Sequence, residues 1–466
     1  MELLKRTTSY PALFSWAILC FVPTLFYFYV GEEGVFTLNS MEMWNRQEFM
    51  STVMYGAIGG GGGRPPLMNW IMIPIANLIG WEHVLVASRL VSVGATIGTS
   101  LTVAWLAHSL WRNDSVTRLA AILYLVTADV MLYRGWLSYA DPLFAMFVVL
   151  AIAQTWVACL RKNHWLLFAA MLSAFAAFMT KALTVYMFLG IAIMVLIRDV
   201  ENRRILLGKM AWLAYACAML LPFIWWMMGT HDSAQHAKMS DDILSKLVIP
   251  NIGNYLLRLV AYPSEMFLRL MPASLIIAYF LLRQRVVALQ QPAVGAALLI
   301  ALMNYLPYLI APEGGVRYVL PVYSFVVLAA AYLVVHETSP FQVKKWLVGM
   351  LLLGSTVHTV VFPWYQRTYR GENYAQMAKE IVQKYGDYPL YVTNVASVGL
   401  AVAAEINTLR FEKHAPLLWP PADFKEGIVI AHAPEDVKGE VLRKLQVNGD
   451  SVFLLCRGNA CKAENH

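Results

Sequence analysis

The chain has 466 residues, 59% of them hydrophobic and only 14% charged, with a mean hydropathy of +0.55. Soluble domains carry about 25% charged residues, so most of this chain is built to dissolve in lipid. The formal net charge is +7, but the basic residues stand in short clusters between apolar runs. That is a membrane topology signal and argues against nucleic acid as a partner.

Taken in order, the chain opens with Lys5 and Arg6 ahead of an apolar run at 11–30. The run is longer than a signal-peptide core and has no small-residue cleavage site before Gly31, so it reads as a retained first helix. Further runs suited to crossing about 30 Å of hydrocarbon lie at 84–110, 119–133, 142–160, 165–179, 183–197, 210–228, 264–282, 293–311, 318–336 and 346–364. Those at 119–133, 165–179 and 183–197 are short. The expectation is a polytopic α-helical membrane protein with about 11–13 transmembrane helices.

Orientation follows from charge. Alternate connections carry Lys5 and Arg6; Arg112 and Arg118; Arg161 and Lys162; Arg198, Arg203, Arg204 and Lys209; Arg283 and Arg285; and Lys344 and Lys345. The positive-inside rule makes these cytoplasmic. The other connections are then outside, and two are too long to be plain loops. The first, 31–83, holds NSMEMWNRQEF, which reads as a short interfacial helix, then five glycines at 59–63, then the Pro-broken apolar stretch PPLMNWIMIPIANLIGW at the membrane surface. The second, 229–262, begins polar (HDSAQHAKMSDD) and turns amphipathic (NIGNYLLRLVAY).

After Trp364 the composition becomes that of a soluble domain. TYRGENYAQMAKEIVQKYGD reads as a helix ending at Gly386, PLYVTNV as a strand, SVGLAVAAEIN as a helix, and GIVIAHAP and SVFLLC as strands. The expected organisation is a transmembrane domain at 1–364 and a small extracytoplasmic α/β domain at 365–466. Cys456 and Cys461 are placed to close a small disulfide loop if that end faces an oxidising compartment. Cys20, Cys159 and Cys217 sit inside apolar runs and read as small buried hydrophobes. The histidines show no metal-ligand spacing.

The ionisable residues at the outer ends of the apolar runs form a set. Glu32 and Glu33 follow the first run, Asp141 opens a helix before Pro142, and Lys181 and Arg317 stand at outer turns; Arg64 follows the glycines. One carboxylate is suited to deprotonating an acceptor hydroxyl, and three cations on one face suit a phosphate or pyrophosphate. Adjacent helical residues point about 100° apart, so Glu32 and Glu33 are not expected to share a role, and Glu33 reads as a helix cap. Arg134, Tyr133 and Tyr139 crowd Asp141. Arg89 and Asp129 lie deeper and must find partners, with each other or with this cluster. The glycine run lacks the following Lys-Ser/Thr of a phosphate loop and reads as a hinge for Arg64.

An acidic pair after the first helix, RPPLMNW, ADPLF, MTKAL and RYVLP occur in this order. This resembles the bacterial GT-C membrane glycosyltransferases, the family of aminoarabinose transferases to lipid A and protein O-mannosyltransferases, over roughly the first 364 residues. The resemblance implies a GT-C-like fold, a polyprenyl-phosphate-linked sugar donor, and transfer at the outer face of the bacterial cytoplasmic membrane to a lipid, glycan or protein acceptor. It puts Glu32 in the place of the family's first-loop Asp and gives Arg64 a donor-phosphate role. Asp141, Lys181 and Arg317 match the remaining site positions, with Glu33, Arg134, Tyr139 and Tyr318 as supporting neighbours.

The chain departs from the family pattern in four places: Glu32 for Asp, Arg64 for a common Lys, Gly63 where an acid often stands, and Ala182 where Gly is usual. These bear on which sugar and acceptor are used more than on the reaction class. No cofactor is required by a phosphate leaving group, though a divalent metal stays compatible with it. The rival class is a transporter or flippase of lipid-linked sugars, which would favour midplane charges and repeated halves. A transferase of preassembled oligosaccharide is the third reading.

Overall fold

The computed structural model describes residues 9–58, 64–181, 183–228, 251–282, 290–312, 315–338, 340–370, 374–447 and 450–465. Lys5 and Arg6, the glycines at 59–63, Ala182, the polar stretch 229–250, and Arg283 with Arg285 lie outside the described residues.

Each of the eleven apolar runs is occupied by helix. The helices are α1 (Tyr10–Leu19), α2 (Gly34–Arg46), α3 (Leu67–Ile79), α4 (Val84–Trp111), α5 (Asp114–Leu125), α6 (Ala140–Arg161), α7 (His164–Thr180), α8 (Thr184–Leu196), α9 (Val200–Leu206), α10 (Lys209–Met228), α11 (Ile252–Arg269), α12 (Ala273–Leu282), α13 (Pro292–Ile310), α14 (Leu320–Glu337) and α15 (Pro340–Thr356). Six segments of the described residues are long and apolar enough to cross a membrane, and α11 with α12 makes a seventh if the bent pair is one span. The chain is therefore a multi-pass membrane protein. The run at 264–282 is not one straight span: α11 and α12 meet at 106°. Pro272 lies in the break, where it offers no N–H and disfavours helix at Met271.

The turns at the basic ends repeat one local device. Arg112 and Lys162 end α4 and α6 in the left-handed conformation. The asparagine that follows each accepts from the next helix, Asn113 from Ser115 N–H at 2.9 Å and Asn163 from Trp165 N–H at 3.0 Å. Such caps satisfy orphan amides at about 1 kcal/mol each. They fold α4 against α5 and α6 against α7 as antiparallel neighbours, so Asp141 and Lys181 return to the same end, away from Arg161 and Lys162.

α2 is buried from Phe36 to Met43, which corrects the interfacial-helix expectation for this segment. Two neighbours cover it, α3 on one side and α17 (Ser397–Leu409) on the other. After α16 (Tyr374–Tyr385), the C-terminal part forms a four-stranded sheet in the order β3 (Leu390–Val392), β4 (Gly427–Ala431), β6 (Asp450–Arg457), β5 (Glu440–Val447); two two-residue strands, β1 (Val53–Met54) and β2 (Ala57–Ile58), precede it in the chain. β3 pairs parallel with β4, and β6 runs antiparallel to both β4 and β5.

The sequence reading assigns no element at 440–447. β5 is an edge strand carrying Glu440, Arg443 and Lys444. Charges on an edge discourage pairing with other chains, and they also hide the strand from a hydrophobic-run test. Cys456 and Cys461 are joined as a disulfide, so the grouping of Glu440 with these sulfurs offers no thiolate to a metal. One apolar cluster runs from Leu38 and Met72 to Val402 and Ile430. The sheet layer thus rests on the 31–83 segment through shared core.

Candidate active site

The segment between α1 and α2 carries the two glutamates, and they diverge. Glu33 is fully buried; its carboxylate takes Arg89 Nε on Oε1 at 2.9 Å and Nη2 on Oε2 at 2.6 Å. The same carboxylate accepts from Val30 N–H at 2.8 Å and Ser138 N–H at 2.7 Å. It makes no bond to the amides of α2, which corrects the cap assignment: the buried guanidinium is the stronger claimant. The remaining Arg89 donors reach the carbonyls of Thr24, Tyr27 and Phe28 at 2.9, 2.6 and 2.8 Å. All five N–H donors of this residue are thereby used, and the loop ahead of α2 is fixed on α4.

Fixing Glu33 inward leaves Glu32 at the rim, its side chain 52% exposed. Its backbone N–H donates to the Tyr139 hydroxyl at 3.0 Å. Gly31, at φ +60°, makes room: a Cβ there would lie 2.5 Å from that hydroxyl. Glu32 Oε2 meets Arg317 Nη1 at 3.5 Å.

Asp141, in the first turn of α6, forms a buried ion pair with Lys181, which ends α7. The Lys181 ammonium lies 4.2 Å from the centre of the Tyr318 ring and 5.8 Å from that of Phe144. Arg317 Nη2 donates to the Tyr318 hydroxyl at 3.3 Å, and its guanidinium lies 5.2 Å from the same ring. Tyr318 therefore stands between the two cations, its face toward Lys181 as cation–π partner. It stacks on Tyr308 at 6.1 Å.

Arg64 sits against the Phe36 ring at 5.7 Å. Its charge acts on Lys181, and those of Arg134 and Arg317 act on Asp141. Arg134 itself turns away to Asp129, Nε to Oδ2 at 3.3 Å. Asp129 is also held by Arg269 and by the Tyr323 hydroxyl, the latter at 2.8 Å. Asp129 and Arg89 therefore do not pair with each other.

Glu32, Asp141, Lys181, Arg317 and Tyr318 are brought together, with Tyr139 behind Glu32 and Arg64 nearby. They do not sort into an acid side and a phosphate side as their types imply. Each acid pairs with a base, because opposite charges at the edge of a low-dielectric region are cheapest in contact. Sequence reasoning missed Arg269. It is the last residue of α11, and only the fold of α11 toward Asp129 reveals it. The signal available was the unpartnered charge of Asp129 inside an apolar run.

No protein-family model matches the chain, and no curated protein matches it in sequence. The fold is shared with the crystal structure of ArnT from Cupriavidus metallidurans bound to undecaprenyl phosphate: TM-score 0.69, 13% identity, 96% of this chain and 98% of that one covered. The apo structure of the same protein matches at TM-score 0.66 and 14% identity over the same shares. The multi-pass helical architecture with a small C-terminal sheet layer, expected from the sequence, is thus shared with that protein over nearly the whole chain.

Proposed function

We propose that this chain is a membrane glycosyltransferase that moves a sugar from a polyprenyl-phosphate donor to a hydroxyl of a lipid, glycan or protein. The observation that carries the reading is the pair of contacts joined through Tyr318, Glu32 with Arg317 and Asp141 with Lys181. Two cations and a rim carboxylate at one end of the helices are the parts such a transfer needs. The likeness to a fold whose crystal structure holds undecaprenyl phosphate supports the donor class.

In this reading the acceptor oxygen attacks the anomeric carbon while the bond from that carbon to the phosphate oxygen breaks. The bonding pair leaves with the phosphate, and the acceptor proton passes to Glu32. Arg317, Arg64 and Lys181 stabilise the phosphate, where negative charge grows in the transition state. Asp141 is buried against Lys181 and positions that ammonium; the exposed Glu32 is the better base. No cofactor is assigned a step, and unchanged turnover after chelation of divalent cations is expected.

The reading places the site and the sheet layer at the outer face of the bacterial cytoplasmic membrane, with the N-terminus inside. α17 lies against Gly34, so the sheet layer and Glu32 occupy one end of the molecule. A disulfide in that layer fits an oxidising compartment.

The test is purified protein in lipid nanodiscs with an undecaprenyl-phosphate sugar and envelope extract as acceptor. Release of undecaprenyl phosphate is expected, falling about 100- to 10,000-fold for Glu32→Gln with expression retained. A protein that leaves the donor intact but moves it between leaflets of a vesicle would be a transporter instead.

A further inference from the structure

We propose that the crevice at the carboxyl ends of β3 and β4 is a saccharide subsite that delivers the acceptor hydroxyl to Glu32. This rests on the glycosyltransferase reading above and names its acceptor class, a neutral glycan rather than an anionic group or a peptide.

The sequence places the crevice by topology. β3 and β4 run parallel, whereas the next neighbour of β4 runs antiparallel. The loops leaving the two parallel carboxyl ends therefore lie side by side at one edge of the sheet, and open α/β sheets bind ligands outside the carboxyl ends of their strands. The resulting crevice is about 560 Å³ and is lined by Thr393, Val395, Ala396, His432 and Asp436.

Its chemistry is that of a polyol site. Asp436 Oδ2 accepts from the His432 and Ala433 N–H groups at 2.9 and 3.1 Å and from the Thr393 hydroxyl at 3.2 Å. Three bonds fix this carboxylate, and its second oxygen makes no hydrogen bond among the described residues. A fixed carboxylate accepts from sugar hydroxyls and repels phosphate. The His432 imidazole adds donor and acceptor capacity, and Val395, 51% exposed, offers an apolar surface to the C–H face of a ring.

Its position is set by α2 and α17, which pack in parallel. Gly34 lies against Leu400, and one turn pair further on the Thr408 hydroxyl meets Met41 Sδ at 3.7 Å. A Cβ on Gly34 would come within 2.6 Å of the Leu400 carbonyl, so glycine permits the approach. Leu400 N–H donates to the Ala396 carbonyl at 2.9 Å, which puts the crevice rim one turn before Leu400. Glu32 is two residues before Gly34 in the same direction. At about 1.5 Å per residue, rim and carboxylate differ by roughly 3 Å along the two helices, and packed helices lie about 8–10 Å apart, a gap that a short oligosaccharide spans.

The experiment measures, in one reaction, transfer to envelope extract and hydrolysis of the undecaprenyl-phosphate sugar by water. His432→Ala and the crevice-filling Val395→Trp, both at exposed positions, are compared with the unaltered chain. The expected result is a transfer-to-hydrolysis ratio at least 10-fold lower in both variants. The ratio is internal to each sample, so partial loss of folded protein does not mimic it. Extract treated with periodate, which cleaves vicinal diols, is expected to lose its acceptor capacity. Ratios equal to that of the unaltered chain, or full activity on periodate-treated extract, overturn the subsite. Failure of the unaltered chain to cleave the donor at all would overturn the glycosyltransferase reading itself, and this inference with it.

Discussion

Arg89 and Glu33 meet through two hydrogen bonds, at 2.9 and 2.6 Å, with both side chains fully buried. The pair joins the loop ahead of α2 to α4 and also reaches the backbone of Ser138, one residue before Tyr139. It is the part of the structure that decides where Glu32 stands.

Removing one member of a buried pair leaves an uncompensated charge, a cost of about 3–5 kcal/mol. Glu33→Ala and Arg89→Met alone are therefore expected to lower the thermal midpoint in detergent sharply. The double variant Glu33→Met with Arg89→Met is expected to recover much of the stability without recovering transfer, because the loop is no longer held. Single variants as stable as the unaltered chain would refute the argument.

Asp141 and Lys181 call for a double-mutant cycle. Lys181→Met is expected to weaken donor use about 10- to 100-fold, the value of a charge-assisted contact of roughly 1.5–3 kcal/mol. Asp141→Asn is expected to act through the same ammonium, so the double variant should lose less than the sum of the singles, with a coupling of about 1 kcal/mol or more. Strict additivity in turnover would show that the two residues act separately.

Gly31 and Tyr139 provide a steric test. Gly31→Ala puts a Cβ 2.5 Å from the Tyr139 hydroxyl at a φ of +60°, and a left-handed non-glycine residue costs on the order of 1–2 kcal/mol. Deleting the hydroxyl by Tyr139→Phe leaves the ring carbon 3.8 Å away, an ordinary contact. Tyr139→Phe is therefore expected to restore part of the stability lost by Gly31→Ala, measured by thermal unfolding. No rescue would mean that backbone strain alone governs the position.

Glu405, in α17, is held above the usual carboxylate range by burial, with Lys379 partly offsetting it. The unfolded chain then loses this proton at lower pH than the folded one. Stability falls as pH rises from the ordinary carboxylate range through the folded value. Glu405→Gln is expected to unfold at a higher temperature than the unaltered chain at pH 7–8, the gap closing toward pH 4. Glu42 is raised in the same direction by burial, so the unaltered chain keeps part of the slope. A gap independent of pH would exclude the Glu405 titration.

Much of the architecture was legible in the residues. Apolar length marked the eleven runs that helices occupy, because hydrocarbon thickness imposes it, and the parallel core strands β3 and β4 announced themselves as apolar runs. β5 did not, since it is an edge strand that is largely exposed and carries three charges. The bend between α11 and α12 and the burial of α2 were equally invisible, because both depend on what packs alongside.

The sequence by itself determined that charged residues gather where the apolar runs end, for a charge inside hydrocarbon is costly. Only the tertiary structure decided which acid meets which base. Glu32 and Glu33 are neighbours in the chain, yet one reaches Arg317 at the rim, 285 positions away, and the other Arg89 in the core. Pairing is governed by side-chain direction and by distances of a few ångströms, and those are fixed by the packing of α2, α4, α6 and α14 rather than by the order of residues along them.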